Sequence, residues 1–253
     1  MTTSRLFHNS IVTVLLLILT IFFFTACGNK SQENFEKGMQ DFKNQRYESA
    51  FRCFSLAAEL GHIEAKTYLG TCYQYGLGVE KDEAKAIELF QKTAEQGSLL
   101  ALNNLAVSYR DGIGVEKNEI KAFELLQKAA EQGNSIAQTN LAYCYEKGIG
   151  VEKNETKAFE LLQKAAEQGE SAAQNNLAYF YEKGIGVEKN EAKAIEFYQK
   201  AAEQGDLSAQ HNLARCYECG TNIEKNLKEA IKWYKKAAEQ GDEHAIRKLK
   251  ELQ

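Results

Sequence analysis

The chain has 253 residues, of which 44% are hydrophobic and 26% are charged, and its formal net charge is −4. This composition is typical of a globular protein, and the absence of proline excludes a proline-rich linker. Lysine and glutamate alternate in short groups, whereas a nucleic-acid-binding protein would need a basic face, so the charge pattern argues against that class.

The first 26 residues differ in character from the rest, and we predict that they form a signal peptide. A single basic residue, Arg5, precedes a run from Ile11 to Phe24 that is apolar apart from two threonines. As a helix this run would extend roughly 21 Å, whereas a hydrocarbon layer is about 30 Å thick. A basic start, a short apolar core and small residues after it are typical of a secretory signal.

The signal segment ends in Phe-Thr-Ala-Cys at Cys27, which resembles the lipobox of bacterial lipoproteins. The resemblance implies that Cys27 is lipidated and becomes the mature N-terminus, with 27–33 as a short linker, and that the lipid holds the chain at a membrane. The alternative is an uncleaved N-terminal anchor. Either one places the chain outside the cytoplasm in a bacterial cell envelope. By analogy with enteric lipoproteins, Gly28 in place of aspartate favours the outer membrane, on its periplasmic side or at the surface.

The rest of the chain is an internal repeat with a period of 36 residues. The tetrad AEQG recurs at this spacing and ends at Gly97, Gly133, Gly169, Gly205 and Gly241. Five copies therefore span 62–97, 98–133, 134–169, 170–205 and 206–241, with a shorter copy at 34–61 before them and a closing segment at 242–253. A fixed period of this length is typical of stacked helical units.

Each copy is predicted to form two helices joined by a glycine loop. In the copy 134–169, Ala137, Leu141 and Ala142 fall on one apolar stripe of the first helix, and Ala158 and Leu162 on one stripe of the second. An Asp or Asn stands directly before each second helix, where an N-cap is favoured: Asp82, Asn118, Asn154, Asn190 and Asn226. Two such helices cannot bury their apolar faces alone, so we predict an all-α, right-handed α-solenoid of stacked copies.

The repeat carries A-x-x-x-[LF]-[GA]-x-x-[YF]-x-x-G-x-G-V in its first half and ends in A-A-E-Q-G. It resembles the Sel-one-like repeat (SLR), a relative of the tetratricopeptide repeat with a longer inter-helix loop. The resemblance implies a tetratricopeptide-like superhelix. The first copy looks closer to a plain tetratricopeptide motif. The closing segment 242–253 looks like a capping helix, with Ala245, Ile246 and Leu249 turned inward.

The chain has no motif typical of an enzyme. It lacks a phosphate-binding loop, a His-Glu-x-x-His motif and a dinucleotide-binding glycine pattern. Some relatives of the family have been described as penicillin-binding or β-lactamase-like, but such an enzyme would be expected to show Ser-x-x-Lys, which no serine here provides. We therefore predict no catalytic residues, no cofactor, no metal site and no small-molecule substrate. A cell-wall-directed penicillin-binding or β-lactamase-like protein is the alternative.

The cysteines of the repeats are predicted to be packing thiols. Cys72, Cys144 and Cys216 share one repeat position, where the copies between them have serine and phenylalanine, and Cys53 takes the place of a core leucine. Cys216 and Cys219 form a single Cys-x-x-Cys at the end of a first helix and not after a strand, so a thioredoxin-like role is not expected. In an oxidising compartment a Cys216–Cys219 disulfide, or a Cys53–Cys72 bridge, is the alternative.

One position of the first helix repeats an asparagine, and we predict that it lines a peptide-binding groove. The residues are Asn104, Asn140, Asn176 and Asn212. In some superhelical relatives an asparagine ladder here hydrogen-bonds the backbone of an extended peptide, and the amide suits that task because it both donates and accepts. The alternative is that the asparagines serve a neighbouring helix or persist from duplication.

One turn along the same face the copies differ, and there the partner's sequence would be recognised by Val107, Tyr143, Tyr179 and Arg215. His211, next to the last asparagine, is predicted to be an exposed groove residue. Together these patterns predict a non-catalytic, membrane-anchored scaffold that binds a protein or an extended peptide along the concave face of the solenoid, and no nucleic acid.

Overall fold

The structure is a computed structural model that describes residues 28–220 and 223–252. These residues form thirteen α-helices and no strand. Helix α1 covers 28–43. The others are α2 (Tyr47–Glu59), α3 (Ile63–Tyr75), α4 (Glu83–Glu95), α5 (Leu99–Asp111), α6 (Glu119–Glu131), α7 (Ser135–Lys147), α8 (Glu155–Glu167), α9 (Ser171–Lys183), α10 (Glu191–Glu203), α11 (Leu207–Cys219), α12 (Leu227–Glu239) and α13 (Glu243–Leu252).

The chain divides into two compact units, 1–117 with α1–α5 and 118–253 with α6–α13. From α2 to α5, and again from α6 to α13, each helix packs against the next one in the chain. First helices of consecutive copies also touch, α3 with α5 in one unit and α7 with α9 in the other. The all-α repeat solenoid predicted from the sequence is confirmed.

Side-chain caps determine where the helices begin. The five predicted N-caps of the second helices are confirmed, since each accepts a hydrogen bond from a backbone amide three residues on, as Asn154 does from Lys157 at 2.9 Å. The first helices α3, α5, α7, α9 and α11 also have capping side chains, from His62, Ser98, Asn134, Glu170 and Asp206. In every full copy, polar side chains therefore cap the N-termini of both helices and determine where these helices begin.

The core consists of the small and branched residues of the predicted stripes. Leu141 is 4% exposed and Leu162 is 2% exposed. The shared cysteine position is buried, as predicted for packing thiols: Cys72, Cys144 and Cys216, together with Cys53, have low exposure. Ile246 of α13 was predicted to turn inward, but it is 38% exposed, since α13 packs into the core through Ala245 and Leu249.

The predicted linker at 27–33 is helical from residue 28 onward and forms the first turns of α1. Ser31 is buried, and its hydroxyl donates to the carbonyl oxygen of Ala57 at 3.4 Å. The segment predicted as a linker therefore includes a residue that packs on α2. The predicted signal peptide 1–26 and Cys27 lie outside the described residues. None of the described helices is long and apolar enough to cross a membrane.

Consecutive copies approach each other closely at the second glycine of the loop. Gly150 has a φ of +68°, and a Cβ placed on it would overlap the carbonyl group of Glu119 at the start of α6. Gly169, at the end of α8, has a φ of +88°, but a Cβ placed there would meet no atom within 4 Å. Gly150 is therefore required both for its backbone conformation and for the contact between copies, whereas Gly169 is required for conformation alone.

We predict that Gly150→Ala destabilises the protein more than Gly169→Ala. An alanine at Gly169 adds only left-handed strain, about 1–2 kcal/mol. An alanine at Gly150 adds the same strain and an overpacked contact worth about 1–3 kcal/mol more. Urea unfolding followed by circular dichroism measures both variants. Equal losses would contradict the close contact between the loop and α6.

Candidate functional site

The candidate binding surface is a partly exposed strip of first helices in the unit 118–253, which we call the Asn–Tyr face. It consists of Asn140 and Tyr143 on α7, Asn176 and Tyr179 on α9, and Asn212 and Arg215 on α11. A spacing of three residues places each pair on one side of its helix, and α7 contacts α9. The predicted groove residues of this unit therefore lie on neighbouring first helices in repeating order.

The two tyrosines are the most accessible part of the Asn–Tyr face. Tyr143 and Tyr179 are each 42% exposed. The ammonium nitrogens of Lys147 and Lys183 lie 5.9 Å from the centres of the Tyr143 and Tyr179 rings, respectively. The same tyrosine–lysine arrangement thus occurs on two adjacent helices. Tyrosine combines a large apolar ring with a polar tip, which is why it is enriched in binding surfaces.

The asparagines are half-buried and are used partly within the protein. Asn212 Nδ2 donates to Asn175 Oδ1 of the preceding copy at 3.0 Å, and Asn175 lies 3.5 Å from Asn176 Oδ1. In the unit 1–117, Asn104 Nδ2 donates to the hydroxyl of Thr71 at 3.3 Å. Asn104 and Asn212 therefore contact the preceding first helix, which supports the structural alternative for these two residues.

Arg215 is held by the preceding copy. Its guanidinium donates to Glu182 Oε2 at 2.8 Å, and the same oxygen accepts from the hydroxyl of Tyr198 at 2.9 Å. Burial pushes the pKa of Glu182 upward, but the hydrogen bonds from Lys183, Tyr198 and Arg215 outweigh it and lower that pKa below its usual value. Arg215 thus differs from the two tyrosines at its repeat position, because an ion pair holds it in place.

A chain of glutamines, which the sequence analysis missed, links consecutive copies. Gln174 is buried, and its amide donates to the carbonyl oxygen of Ala166 in the preceding copy at 3.3 Å. Gln204 donates in turn to Gln174 Oε1 at 2.8 Å. The same pair of bonds recurs one copy earlier and one copy later, with Gln168, Gln138 and Ala130, and with Gln240, Gln210 and Ala202. The recurrence of Gln at two fixed repeat positions was the available signal.

A second link joins the first helices α7 and α11 to the residues that cap α9 and α13. The Thr139 hydroxyl lies 2.9 Å from Glu170 Oε2, the N-cap of α9. His211 Nδ1 lies 3.0 Å from Asp242 Oδ2, and Asp242 also accepts from the backbone amides of His244 and Ala245. His211 is therefore a half-buried contact between the last copy and the closing segment, and not the exposed groove residue that we predicted, because the carboxylate of Asp242 bonds to its ring.

The paired cysteines are thiols in the structure and differ in their surroundings. Cys219 is exposed, whereas Cys216 is 6% exposed. Burial raises the pKa of the Cys216 thiol to about 11 and that of the Cys72 thiol to about 12. A Cys216–Cys219 disulfide would require Cys216 to leave its packed position, and it stays a prediction. Among the described residues, no group of three or more His, Cys, Asp or Glu side chains is placed to hold a metal ion.

The Sel1 repeat family model matches six consecutive stretches of the chain: 35–62, 63–98, 99–134, 135–170, 171–206 and 207–242. Each stretch begins one residue after the boundary predicted from the sequence. The first copy, which looked closer to a plain tetratricopeptide motif, is matched by the same family model as the other five. No curated protein matches the chain at a significant level.

Solved bacterial structures are similar to most of the chain. A Sel1 repeat protein from Oxalobacter formigenes is 35% identical, with a TM-score of 0.67 over 85% of this chain and 86% of that one. A protective antigen of uropathogenic Escherichia coli with an SLR fold is 37% identical, with a TM-score of 0.61 over 87% of this chain and 48% of that one. An immunity protein from Pseudomonas aeruginosa is 29% identical, with a TM-score of 0.60 over 76% and 74%.

We predict that alkylation distinguishes the two cysteines of the pair. The thiolate is the reactive form, so Cys219 should react with iodoacetamide at about pH 8 at least tenfold faster than Cys216. The rate at Cys216 should rise with pH up to about 11, because burial keeps this thiol protonated below that pH. Peptide mass spectrometry measures both rates, and urea-unfolded protein is the control. Equal rates in the folded protein would contradict the buried position of Cys216.

Proposed function

This chain belongs to the Sel1 repeat family, and on that basis we propose that it is a non-catalytic, membrane-tethered scaffold that binds an extended segment of a partner protein along the Asn–Tyr face. Sel1 repeat proteins are in general scaffolds for protein–protein interactions. The observation that carries the proposal is the recurrence of Tyr143 and Tyr179, each 42% exposed, on two neighbouring first helices.

The repeat spacing suits an extended chain. Packed helices lie about 8–10 Å apart, and three residues of an extended segment of the polyproline II type rise about 9 Å and complete one turn. A segment of this type that crosses α7 and α9 would therefore present a side chain on the same side to each tyrosine at every third residue. The tyrosine rings would cover apolar side chains of the segment, and nearby asparagine amides would bond its backbone.

The side chains of the face contribute differently to this proposal. Asn212 and Arg215 already bond to the preceding copy, so their role is to hold the face in shape. We assign partner contact to Tyr143 and Tyr179 because of their exposure, and to the half-buried amides of Asn140 and Asn176 because of their repeat position. Large, rigid aromatic side chains commonly contribute most of the binding energy of an interface, so the tyrosines should dominate.

The membrane tether of the proposal rests on the sequence around Cys27. The resemblance to a lipobox implies that Cys27 carries the lipid, and the similar structures come from bacteria. The bacterial cell envelope is therefore the proposed location. Neither the family match nor the similar structures support the penicillin-binding or β-lactamase-like alternative, and we do not pursue it.

We predict that Tyr143→Ser with Tyr179→Ser, and separately Asn140→Ala with Asn176→Ala, weaken partner binding with little change in stability. Exposed substitutions usually change the unfolding free energy by about 0.5 kcal/mol or less, whereas loss of interface tyrosines typically weakens affinity tenfold or more, about 1.4 kcal/mol. Capture from bacterial membranes with quantitative mass spectrometry measures binding, and thermal unfolding measures stability.

The matched control is Tyr75→Ser, because Tyr75 is 55% exposed and lies outside the Asn–Tyr face. If the tyrosine pair, the asparagine pair and Tyr75→Ser all reduce the capture of the same proteins equally, the proposed surface is wrong. If the asparagine pair lowers the melting temperature strongly, the asparagines are structural, and the tyrosine pair alone tests binding. A photo-crosslinking amino acid at Tyr179 should then label the partner, whereas one at the exposed Ile120 should not.

We predict that Cys27→Ser abolishes the incorporation of fatty acid into the chain. The wild-type chain should incorporate labelled fatty acid and lose residues 1–26, because the lipid would be attached at the new N-terminus. Cell fractionation and intact mass of the purified protein are the measurements, with Cys219→Ser as the control that keeps the lipid. A wild-type chain that is membrane-bound, unlabelled and uncleaved would support the anchor alternative instead.

A further inference from the structure

The last second helix, α12, carries a charge opposite to that of every earlier second helix. Helices α4, α6, α8 and α10 each contain three glutamates and two lysines, a formal charge of −1. Helix α12 contains four lysines and two glutamates, a formal charge of +2. At the position where the others have glutamate α12 has Lys232, and where they have glutamine it has Lys235. The other copies thus serve as an internal reference for this change.

The four lysines of α12 form one surface, which we call the lysine face: Lys228, Lys232, Lys235 and Lys236, all exposed. Their spacing of four, three and one residues places them within one side of the helix, over a length of about 12 Å. Lys232 pairs with Glu229 at 2.9 Å, and Lys236 lies 4.4 Å from the centre of the Trp233 ring. Within the part of the chain that the structure describes, Lys228 and Lys235 make no ion pair.

The chemistry of the lysine face favours a diffuse anionic surface as its partner. Lysine ammonium groups are hydrated, flexible point charges, whereas fixed carboxylates and phosphates are commonly held by the planar fork of arginine. The face has no arginine, serine, threonine or asparagine, and its carboxylates are Glu229, which pairs with Lys232, and Glu239 at its C-terminal end. All four ammonium groups lie within about one to two Debye lengths at physiological salt, so they act together on a plane of negative charge.

We propose that the lysine face docks the unit 118–253 on a membrane surface that contains anionic phospholipid. Exposed lysines on one helix side can reach headgroup phosphates at the same time. The surface lies on a second helix, so it is separate from the first-helix residues of the Asn–Tyr face. The proposal depends neither on the partner-binding role nor on lipidation of Cys27.

The test uses residues 28–253 of the protein, because every side chain buried in the described part of the chain lies between Ser31 and Ala245. The variant Lys232→Glu with Lys235→Gln restores the residues found in the other copies. The matched control, Lys164→Glu with Lys157→Gln, makes the same charge change on α8. Vesicles with about 30% phosphatidylglycerol, and vesicles of phosphatidylcholine alone, are sedimented with each protein at low and at about 0.5 M salt.

We expect the wild-type protein and the control to sediment with the anionic vesicles only, and to be released at high salt. The restored variant should bind them about tenfold or more weakly, with an unchanged circular dichroism melting curve. Equal binding by the restored variant and the wild type, or equal binding to both kinds of vesicle, would overturn the proposal. Binding of poly-glutamate without any binding to vesicles would also overturn it and would assign the face to an acidic protein.

Discussion

The whole fold depends on one constraint, which is that a pair of short amphipathic helices has two apolar faces and can cover only one of them by itself. Each copy therefore completes its core by packing against its neighbour. The contacts between copies need side chains that fit as closely as those within a copy. Gly150 illustrates this point, because the loop lies so close to the carbonyl group of Glu119 that no side chain fits between them. The capping side chains and the glutamine chain add polar contacts at the same junctions.

The architecture and many local details could be predicted from the sequence because they depend on residues close together in the chain. The period of 36 residues, the apolar stripes and the Asx caps are local patterns, and the structure confirms the solenoid, the caps and the buried cysteines. Several missed features involve residues more than 30 positions apart, such as Arg215 with Glu182 and His211 with Asp242, and the glutamine bonds to the preceding copy join two different helices. Composition and periodicity do not show which side chain of the neighbouring copy comes within contact distance.

The candidate site was only partly predicted for the same reason, because local patterns place residues on a helix face but do not show their contacts with the neighbouring copy. The sequence placed asparagines and tyrosines on one helix face, and the structure brings those of the unit 118–253 onto neighbouring helices. It also shows that an asparagine at a fixed repeat position can bond to the preceding helix, as Asn212 does with Asn175. The exposure of a side chain indicates better than its residue type whether it is available to a partner. The tyrosines point to solvent, whereas Arg215, at the same repeat position, is bound within the protein.

The glutamine chain suggests how the number of copies in such a protein can change. In the unit 118–253 the same donor and acceptor pairs occur at three successive junctions, shifted by 36 residues each time. Deleting or inserting one whole copy would therefore join two surfaces that already fit, and recombination between near-identical stretches could alter copy number without the need for a new interface. The equivalence holds for these three junctions of the unit 118–253, so gain and loss of copies is expected there.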